Sequence, residues 1–172
     1  MGHVSFEEYW AQRGKNLRQN LKRQRNGLER ENIKTELKII NSPDQIKQAI
    51  IDYGKLESSG WKNERGTAID INNVQGKFYF AMLQNFSKNR NALIFQYIYN
   101  NQLVASDLCI KDQLSFIILK TTYNEAITTS SPAMLMRQDA FEYIFNNKLS
   151  KNIEFYGKVM EWHTKWGNEL RT

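Results

Sequence analysis

The chain has 172 residues, enough for one domain with a sizeable core, and its formal net charge is +6. A single cysteine, Cys109, excludes a disulfide framework within the monomer, so we expect a reducing, cytoplasmic location. No apolar run suggests a signal peptide or approaches the roughly 18 to 20 apolar residues of a membrane span. The positive charge favours acidic partners, which include phosphorylated cofactors, nucleic acid and anionic lipid alike.

The first predicted element is a long helix over residues 6–31 with many basic residues. Its apolar stripe consists of Phe6, Trp10, Leu17, Leu21 and Leu28. The basic faces are interpreted either as the solvated side of an amphipathic helix or as an anion-binding surface. The pair Asn26 and Gly27 is the position where this helix is expected to fray or bend.

A strand over residues 35–40 follows, and the sequence Ser42-Pro43-Asp44 then opens a helix that runs to about residue 58. A short helical piece over residues 61–66 and a longer helix over residues 74–89 come next. The apolar side of this longer helix is predicted to consist of Phe78, Met82, Leu83 and Phe86.

Three runs rich in β-branched and aromatic residues then predict strands over residues 92–99, 103–111 and 114–122. The links between them are short enough for antiparallel hairpins. A helix from Pro132 to about residue 145 leads to a last strand over residues 152–156, which can pair parallel to the third run because a helix bridges them. The order predicts one α+β domain, with helices flanking a central mixed, mostly antiparallel sheet.

The stretch over residues 114–145 joins an apolar strand, a polar loop and a helix. A helix N-terminus has N–H groups without intrahelical partners and partial positive charge, so it can seat a phosphate. Ser130 and Ser131 offer capping hydroxyls, and Pro132 suits the first helical position. Capping alone also explains these residues. The loop lacks the glycines of Walker or Rossmann motifs, so we expect neither a nucleoside triphosphate nor a dinucleotide site.

Four stretches resemble the GNAT-like N-acyltransferase domain of FemAB-type proteins, the acetyltransferase domain found beside cellulose and polysaccharide biosynthesis functions. They lie at residues 9–26, 103–110, 119–135 (LKTTYNEAITTSSPAML) and 153–166 (IEFYGKVMEWHTKW). The resemblance implies a single GNAT-like acyltransferase domain over residues 1–172. Members of that family continue beyond the tryptophan that corresponds to Trp166, so we expect this domain to be shortened at its C-terminus.

The resemblance also implies an acyl-coenzyme A co-substrate, with acetyl-CoA as the expected form. Its pantetheine arm would bond to the edge of the fourth strand, and its pyrophosphate would rest on the next helix N-terminus. The cofactor-binding residues implied in this way are Leu119, Lys120, Thr121, Thr129, Ser130, Ser131, Pro132, Ala133 and Met134. Ala133 stands where the family often has glycine, which adds a methyl group where the backbone must approach phosphate.

Acylation of an amine by a thioester needs a base for the ammonium proton, polarisation of the carbonyl and an acid for the leaving thiolate. Glu154 and Asp107 are the candidate bases, and the alternative interpretation is that each is a strand-end carboxylate ion-paired to a lysine. His163, where the family usually has lysine, could transfer a proton or supply charge. Tyr123 could protonate the thiolate or simply pack. Two distant histidines and one cysteine, Cys109, predict no metal site, and the cysteine is interpreted as core filler.

The implied function is direct acyl transfer, in a ternary complex, to an amine of a small molecule, a sugar or a cell-envelope precursor. Two alternatives stay open. One is FemAB-type aminoacyl transfer from charged tRNA, and the other is a non-catalytic module whose basic N-terminal helix contacts nucleic acid, a membrane or an acidic partner. The strands lack the signature of an RNA-recognition sheet. The acyl group, the acceptor and the oligomeric state are left open by the sequence.

Overall fold

The computed structural model describes residues 4–59, 68–156 and 165–167. Its centre is a five-stranded sheet in the spatial order of the chain. The strands are β1 (Thr35–Ile40), β2 (Ala92–Tyr99), β3 (Gln102–Lys111), β4 (Ser115–Tyr123) and β5 (Asn152–Phe155). Neighbours from β1 to β4 pair antiparallel, whereas β4 and β5 pair parallel. The predicted mixed, mostly antiparallel sheet is confirmed.

Local turn chemistry explains the hairpin that joins β2 to β3. Asn100 and Asn101 both have positive φ, 47° and 72°. Two consecutive left-handed residues are what a type I′ turn requires, and asparagine tolerates this conformation better than most residues. The turn therefore fixes the register in which β2 and β3 meet.

Five helices flank the sheet within the described residues. They are α1 (Phe6–Ala11), α2 (Lys15–Arg30), α3 (Ile46–Ser58), α4 (Val74–Ser87) and α5 (Pro132–Asn146), and a 3₁₀ turn (Pro43–Gln45) precedes α3. None of them is long and apolar enough to cross a membrane. The short helical piece predicted over residues 61–66 lies outside the described residues.

The prediction of one long N-terminal helix is wrong, because the helix is interrupted between Ala11 and Lys15. Gly14 has an extended backbone, with φ −55° and ψ 141°, and stands as the N-cap of α2. The Arg13 guanidinium covers the Tyr9 ring at 4.4 Å and its Nε donates to the Tyr9 carbonyl at 3.3 Å, which closes the end of α1. Gly27, where a bend was predicted, lies inside α2, because a helix can tolerate a single interior glycine.

The two faces of the sheet carry separate apolar clusters. Helices α1, α2 and α5 pack on one face, around residues such as Leu21, Phe95 and Met136. Helices α3 and α4 pack on the other, around residues such as Ile50 and Leu83. The predicted apolar side of α4 is only partly right: Leu83 is fully buried, but Phe78 is 61% exposed.

The backbone of α4 closely approaches the preceding segment at Gly76. The side chain of Asn73 accepts the Gly76 N–H at 2.7 Å and caps the helix. A Cβ added at Gly76 would lie 1.7 Å from the Asp70 carbonyl oxygen. Because any side chain would collide with that carbonyl, glycine is what lets α4 dock against the segment after residue 68.

Replacing Gly76 with alanine is therefore expected to destabilise the fold by about 1 to 3 kcal/mol, the usual range for overpacking. Gly27→Ala is the matched control, because its new Cβ would meet only the flexible end of Arg30 at 3.7 Å. That change removes a helix-interior glycine and should stabilise by about 0.5 to 1 kcal/mol. Urea denaturation of both variants tests the pair, and equal effects would contradict the close approach.

Candidate functional site

The site begins at an irregularity in the fourth strand. Leu108 of β3 faces Lys120 of β4, while its neighbour Cys109 faces Ile118. Leu119 is therefore an extra residue on β4, which makes a β-bulge. Bulges bend a strand and increase its twist, so they redirect the strand that follows them.

Beyond this bulge, β4 separates from β5. The Tyr156 N–H donates to the Ile118 carbonyl at 2.9 Å, and Ile118 opposite Phe155 is the last pair of the two strands. In the part of the chain that the structure describes, residues 119–123 have no partner on β5. An unpaired strand edge offers N–H and C=O groups to an extended ligand.

A cavity of about 790 Å³ adjoins this open edge. It reaches from the C-terminal turn of α3 to the N-terminus of α5. Its lining consists of Glu57, Thr121, Thr122, Tyr123, Glu125, Ile127, Thr128, Ser130, Ser131, Pro132, Ala133, Met134 and Arg137. The size lies within the range of small-molecule and cofactor sites.

At the start of α5, the capping differs from the prediction. Ser131 is the N-cap residue, but its side chain makes no capping hydrogen bond, and the Ser130 hydroxyl instead bonds to the Tyr99 hydroxyl at 2.9 Å. The Met134 and Leu135 N–H groups both donate to the Ser131 carbonyl, at 3.1 and 3.0 Å. Contrary to the prediction, neither serine hydroxyl caps the helix.

One backbone donor remains in this first turn. Pro132 has no N–H, and the Ala133 N–H has no hydrogen-bond partner among the described residues. It lies at the N1–N2 end of a helix of 15 residues, where partial positive charge accumulates. Ala133 also lines the cavity. The turn can therefore accept an anionic ligand group from the cavity side.

A buried ion pair lies beneath the point where β4 and β5 separate. Arg137 of α5 donates to both carboxylate oxygens of Asp107 at 3.1 Å and to the Thr121 hydroxyl at 2.9 Å. The guanidinium also lies 5.0 Å from the centroid of the Phe155 ring. Arg137 thereby connects α5 with β3, β4 and β5.

The prediction of Asp107 as a base is not supported by these contacts. Its carboxylate is fully buried, is not part of the cavity lining, and also accepts a hydrogen bond from Thr121. A base must reach the proton that it removes, directly or through water. Its role in this structure is to pair with Arg137.

Sequence reasoning missed a second carboxylate, Glu57, which is buried in the cavity wall. It accepts the Ile69 N–H at 2.6 Å and the Tyr53 hydroxyl at 3.4 Å, and it pairs with the Lys120 ammonium at 3.4 Å. Burial, and then the charge of Glu57, raise the pKa of Tyr53 well above its usual value, so Tyr53 stays a donor. The sequence did carry one signal for Glu57: it lies in the last turn of a helix, where a negative charge is unfavourable with the helix dipole.

The other predicted catalytic residues are spread over the site. Tyr123 lines the cavity and is 45% exposed. Glu154 is half-buried on β5, in register with Ile117, and is not part of the cavity lining. His163 lies outside the described residues. Burial raises the pKa of the Cys109 thiol well above its usual value, which agrees with its interpretation as core filler.

The predicted cofactor residues divide into two groups. Those that line the cavity are Thr121, Ser130, Ser131, Pro132, Ala133 and Met134. Leu119, Lys120 and Thr129 are not part of its lining: Leu119 packs against the apolar cluster under α3 and α4, Lys120 turns toward Glu57, and Thr129 is exposed. In the described ranges, no group of three or more histidine, cysteine or acidic residues could hold a metal ion.

A mixed sheet whose parallel strands separate beside a helix N-terminus defines the GNAT acetyltransferase fold, and comparisons with known proteins agree. Residues 15–164 match the family described as the acetyltransferase (GNAT) domain. The chain therefore belongs to this family, whose enzymes use acetyl-CoA, and its enzyme class is that of an N-acetyltransferase. No curated protein sequence matches the chain.

Solved structures share the fold at low sequence identity. An aminoglycoside acetyltransferase from an uncultured soil metagenomic sample is 8% identical, with a TM-score of 0.56 over 80% of this chain and 91% of that chain. A GNAT family acetyltransferase from Staphylococcus aureus is 12% identical, with a TM-score of 0.53 over 80% and 93%. A conserved protein of unknown function from Bacteroides thetaiotaomicron is 18% identical, with a TM-score of 0.53 over 85% of this chain and 47% of its own length.

Proposed function

We propose that this protein is an acyl-CoA-dependent N-acyltransferase of the FemAB type, which transfers an acetyl group directly to an amine in a ternary complex. The observation that carries this proposal is one cavity that joins the unpaired edge of β4 to the first turn of α5. An extended arm with a diphosphate at its end has both the shape and the charge for that surface. The proposed enzyme is a single domain over residues 1–172, acts in the cytoplasm and needs no metal.

The pantetheine arm would run along β4 and bond to backbone groups of Leu119, Lys120 and Thr121. The diphosphate would lie over the turn formed by residues 129–134, where the Ala133 N–H supplies a donor. Support comes from the bulge at Leu119, since the strand edge becomes available directly after it. The thioester would then lie near the point where β4 and β5 separate.

Transfer would proceed by attack of the neutral acceptor amine on the thioester carbonyl carbon, after which the C–S bond breaks and the amide forms. The ammonium proton must first leave to a carboxylate, either directly or through water. Glu154, which is half-buried and outside the cavity lining, remains a proposed base that acts through water. Glu57 is a second proposed base, because it lines the cavity although it is buried and paired with Lys120. Tyr123, which lines the cavity, would return a proton to the departing thiolate, and His163 would supply charge or a hydrogen bond.

The acceptor is proposed to be an amine of a small molecule, a sugar or a cell-envelope precursor. The structural neighbours include an aminoglycoside acetyltransferase, and this supports a polar, amine-bearing acceptor. The cavity lining includes two acidic residues that suit a cationic amine: Glu125, and Glu57, which pairs with Lys120 at 3.4 Å.

Thermal unfolding in the presence of acetyl-CoA tests the proposal without knowledge of the acceptor. At about one hundred times its dissociation constant, a ligand that binds only the folded state stabilises it by about 2.7 kcal/mol. We expect such a shift with acetyl-CoA and CoA, and none with ATP at equal charge and concentration. No shift with any acyl-CoA, together with salt-sensitive retention on nucleic acid, would favour a binding module or a tRNA-dependent enzyme instead.

A further inference from the structure

The N-terminal helix α2 reaches the first turn of α5 through one side chain. The Ser131 N–H donates to the Gln24 Oε1 at 2.7 Å, across 107 residues of sequence. Ser131 is the N-cap residue of α5, and it lines the cavity. A backbone N–H at a helix cap is thus held by a side chain from a helix that contributes no residue to the cavity lining.

The orientation of the Gln24 amide is set on both sides. Its Nε2 donates to the Asn20 Oδ1 at 3.3 Å, and the same oxygen accepts from Arg23 at 2.7 Å. Because the Ser131 N–H can only donate, it must face the amide oxygen, and the amide nitrogen must then face the acceptor on Asn20. The Gln24 amide therefore has one orientation, in which it accepts from Ser131 and donates to Asn20.

Helix α2 is itself anchored to α5, so Gln24 acts from a fixed support. Arg25, the next residue, donates to Gln138 at 2.9 Å, to Asp139 at 3.0 Å and to the Leu135 carbonyl at 3.3 Å. It also donates to the Tyr97 hydroxyl of β2 at 3.2 Å. A partly buried network of this kind is harder to displace than an exposed ion pair.

We propose that Gln24 is a positioning residue for the diphosphate end of acyl-CoA, and that α2 is part of the cofactor site. By holding the Ser131 N–H, Gln24 fixes the peptide between Ser130 and Ser131, directly before the helix, and this orients the first turn that carries the Ala133 N–H. The Ser130 hydroxyl is held by Tyr99 at 2.9 Å, so the loop is braced at two consecutive residues. This inference rests on the proposed function.

The test compares two ligands that differ only at the end in question. CoA carries the diphosphate, whereas pantetheine has the same arm and thiol without it. In Gln24→Leu, CoA should bind about tenfold more weakly, the effect of losing one well-placed hydrogen bond, while pantetheine affinity stays within about twofold. In Gln24→Glu, which keeps an acceptor for Ser131 but adds charge beside the diphosphate, CoA should also weaken, and added salt should partly restore it.

Gln138→Leu is the matched control. It removes another glutamine bond between α2 and α5, at 2.9 Å from Arg25, but away from the loop. The ratio of CoA to pantetheine affinity should be unchanged in this variant, because Arg25 keeps its bonds to Tyr97, Leu135 and Asp139. Calorimetry gives both dissociation constants, and thermal unfolding without ligand shows that each variant is folded.

The outcomes separate the inference from the function on which it rests. Equal weakening of both ligands in Gln24→Leu, or no change in either, would overturn the positioning role while acyl-CoA binding stands. Wild-type protein that binds CoA no more tightly than pantetheine would also overturn it, because the diphosphate would then have no seat. Wild-type protein that binds neither ligand would refute the proposed function and the inference with it.

Discussion

Ala133→Asp is expected to weaken CoA binding at least about 100-fold, which corresponds to about 2.8 kcal/mol. Ala133 is the second residue of α5, and its N–H is the donor that remains in the first turn of the helix among the described residues. A carboxylate there would repel the diphosphate and compete for the same donor. Calorimetric titration with CoA, or loss of the thermal shift, measures the effect.

The same substitution should not damage the fold, which makes the result informative. An acidic residue near a helix N-terminus is favourable for the helix by a few tenths of a kcal/mol. Ala133→Asn has nearly the same shape without the charge and should keep most of the affinity. Ala133→Gly removes the methyl group and should leave affinity equal or better. If Ala133→Asp leaves CoA affinity unchanged, the diphosphate does not bind at this turn.

Arg137→Met is expected to lower the free energy of unfolding by about 3 to 5 kcal/mol, because it leaves a charged Asp107 buried without its partner. The Arg137 side chain is 2% exposed and that of Asp107 is fully buried, so water cannot replace the lost bonds. Since natural domains have about 5 to 15 kcal/mol of stability, this is a large share. Urea denaturation measures it.

The double variant Asp107→Leu with Arg137→Met separates the pair from its surroundings. Removing both charges avoids the unpaired buried carboxylate, so most of the stability should return. CoA affinity should nevertheless stay reduced. In the double variant, the Thr121 hydroxyl on the edge of β4 no longer accepts the hydrogen bond that the Arg137 guanidinium donates at 2.9 Å. A single variant as stable as the wild type, or a double variant less stable than Arg137→Met, would contradict the role of this pair as a brace.

The elements of the fold could be predicted because each is written in local patterns. Runs rich in β-branched and aromatic residues predicted β2, β3 and β4, and the short links between them predicted antiparallel hairpins. The first helix was predicted wrongly because the apolar stripe from Phe6 to Leu28 continues through the break. Only the buried packing of Arg13 on Tyr9 and the extended Gly14 separate α1 from α2.

The candidate site could be predicted in part. The α5 turn followed from capping rules and from resemblance, and Ser131 and Ala133 do line the cavity. The role of Asp107 was not predictable, since its partner Arg137 is 30 residues away on another element. Glu57 was overlooked for the same reason: its contacts with Ile69 and Lys120 depend on how α3 docks on the sheet.

The sequence by itself determined the class of fold, the order of strands and helices, and the strand-loop-helix that offers an anion seat. These follow from hydrophobic periodicity, turn residues and helix caps, which act over a few residues at a time. The tertiary structure decided which polar groups face the cavity and which are consumed by pairing. The hydrogen bond between Ser131 and Gln24 and the ion pair between Arg137 and Asp107 join residues that lie far apart in the chain, and no local sequence pattern predicts such contacts.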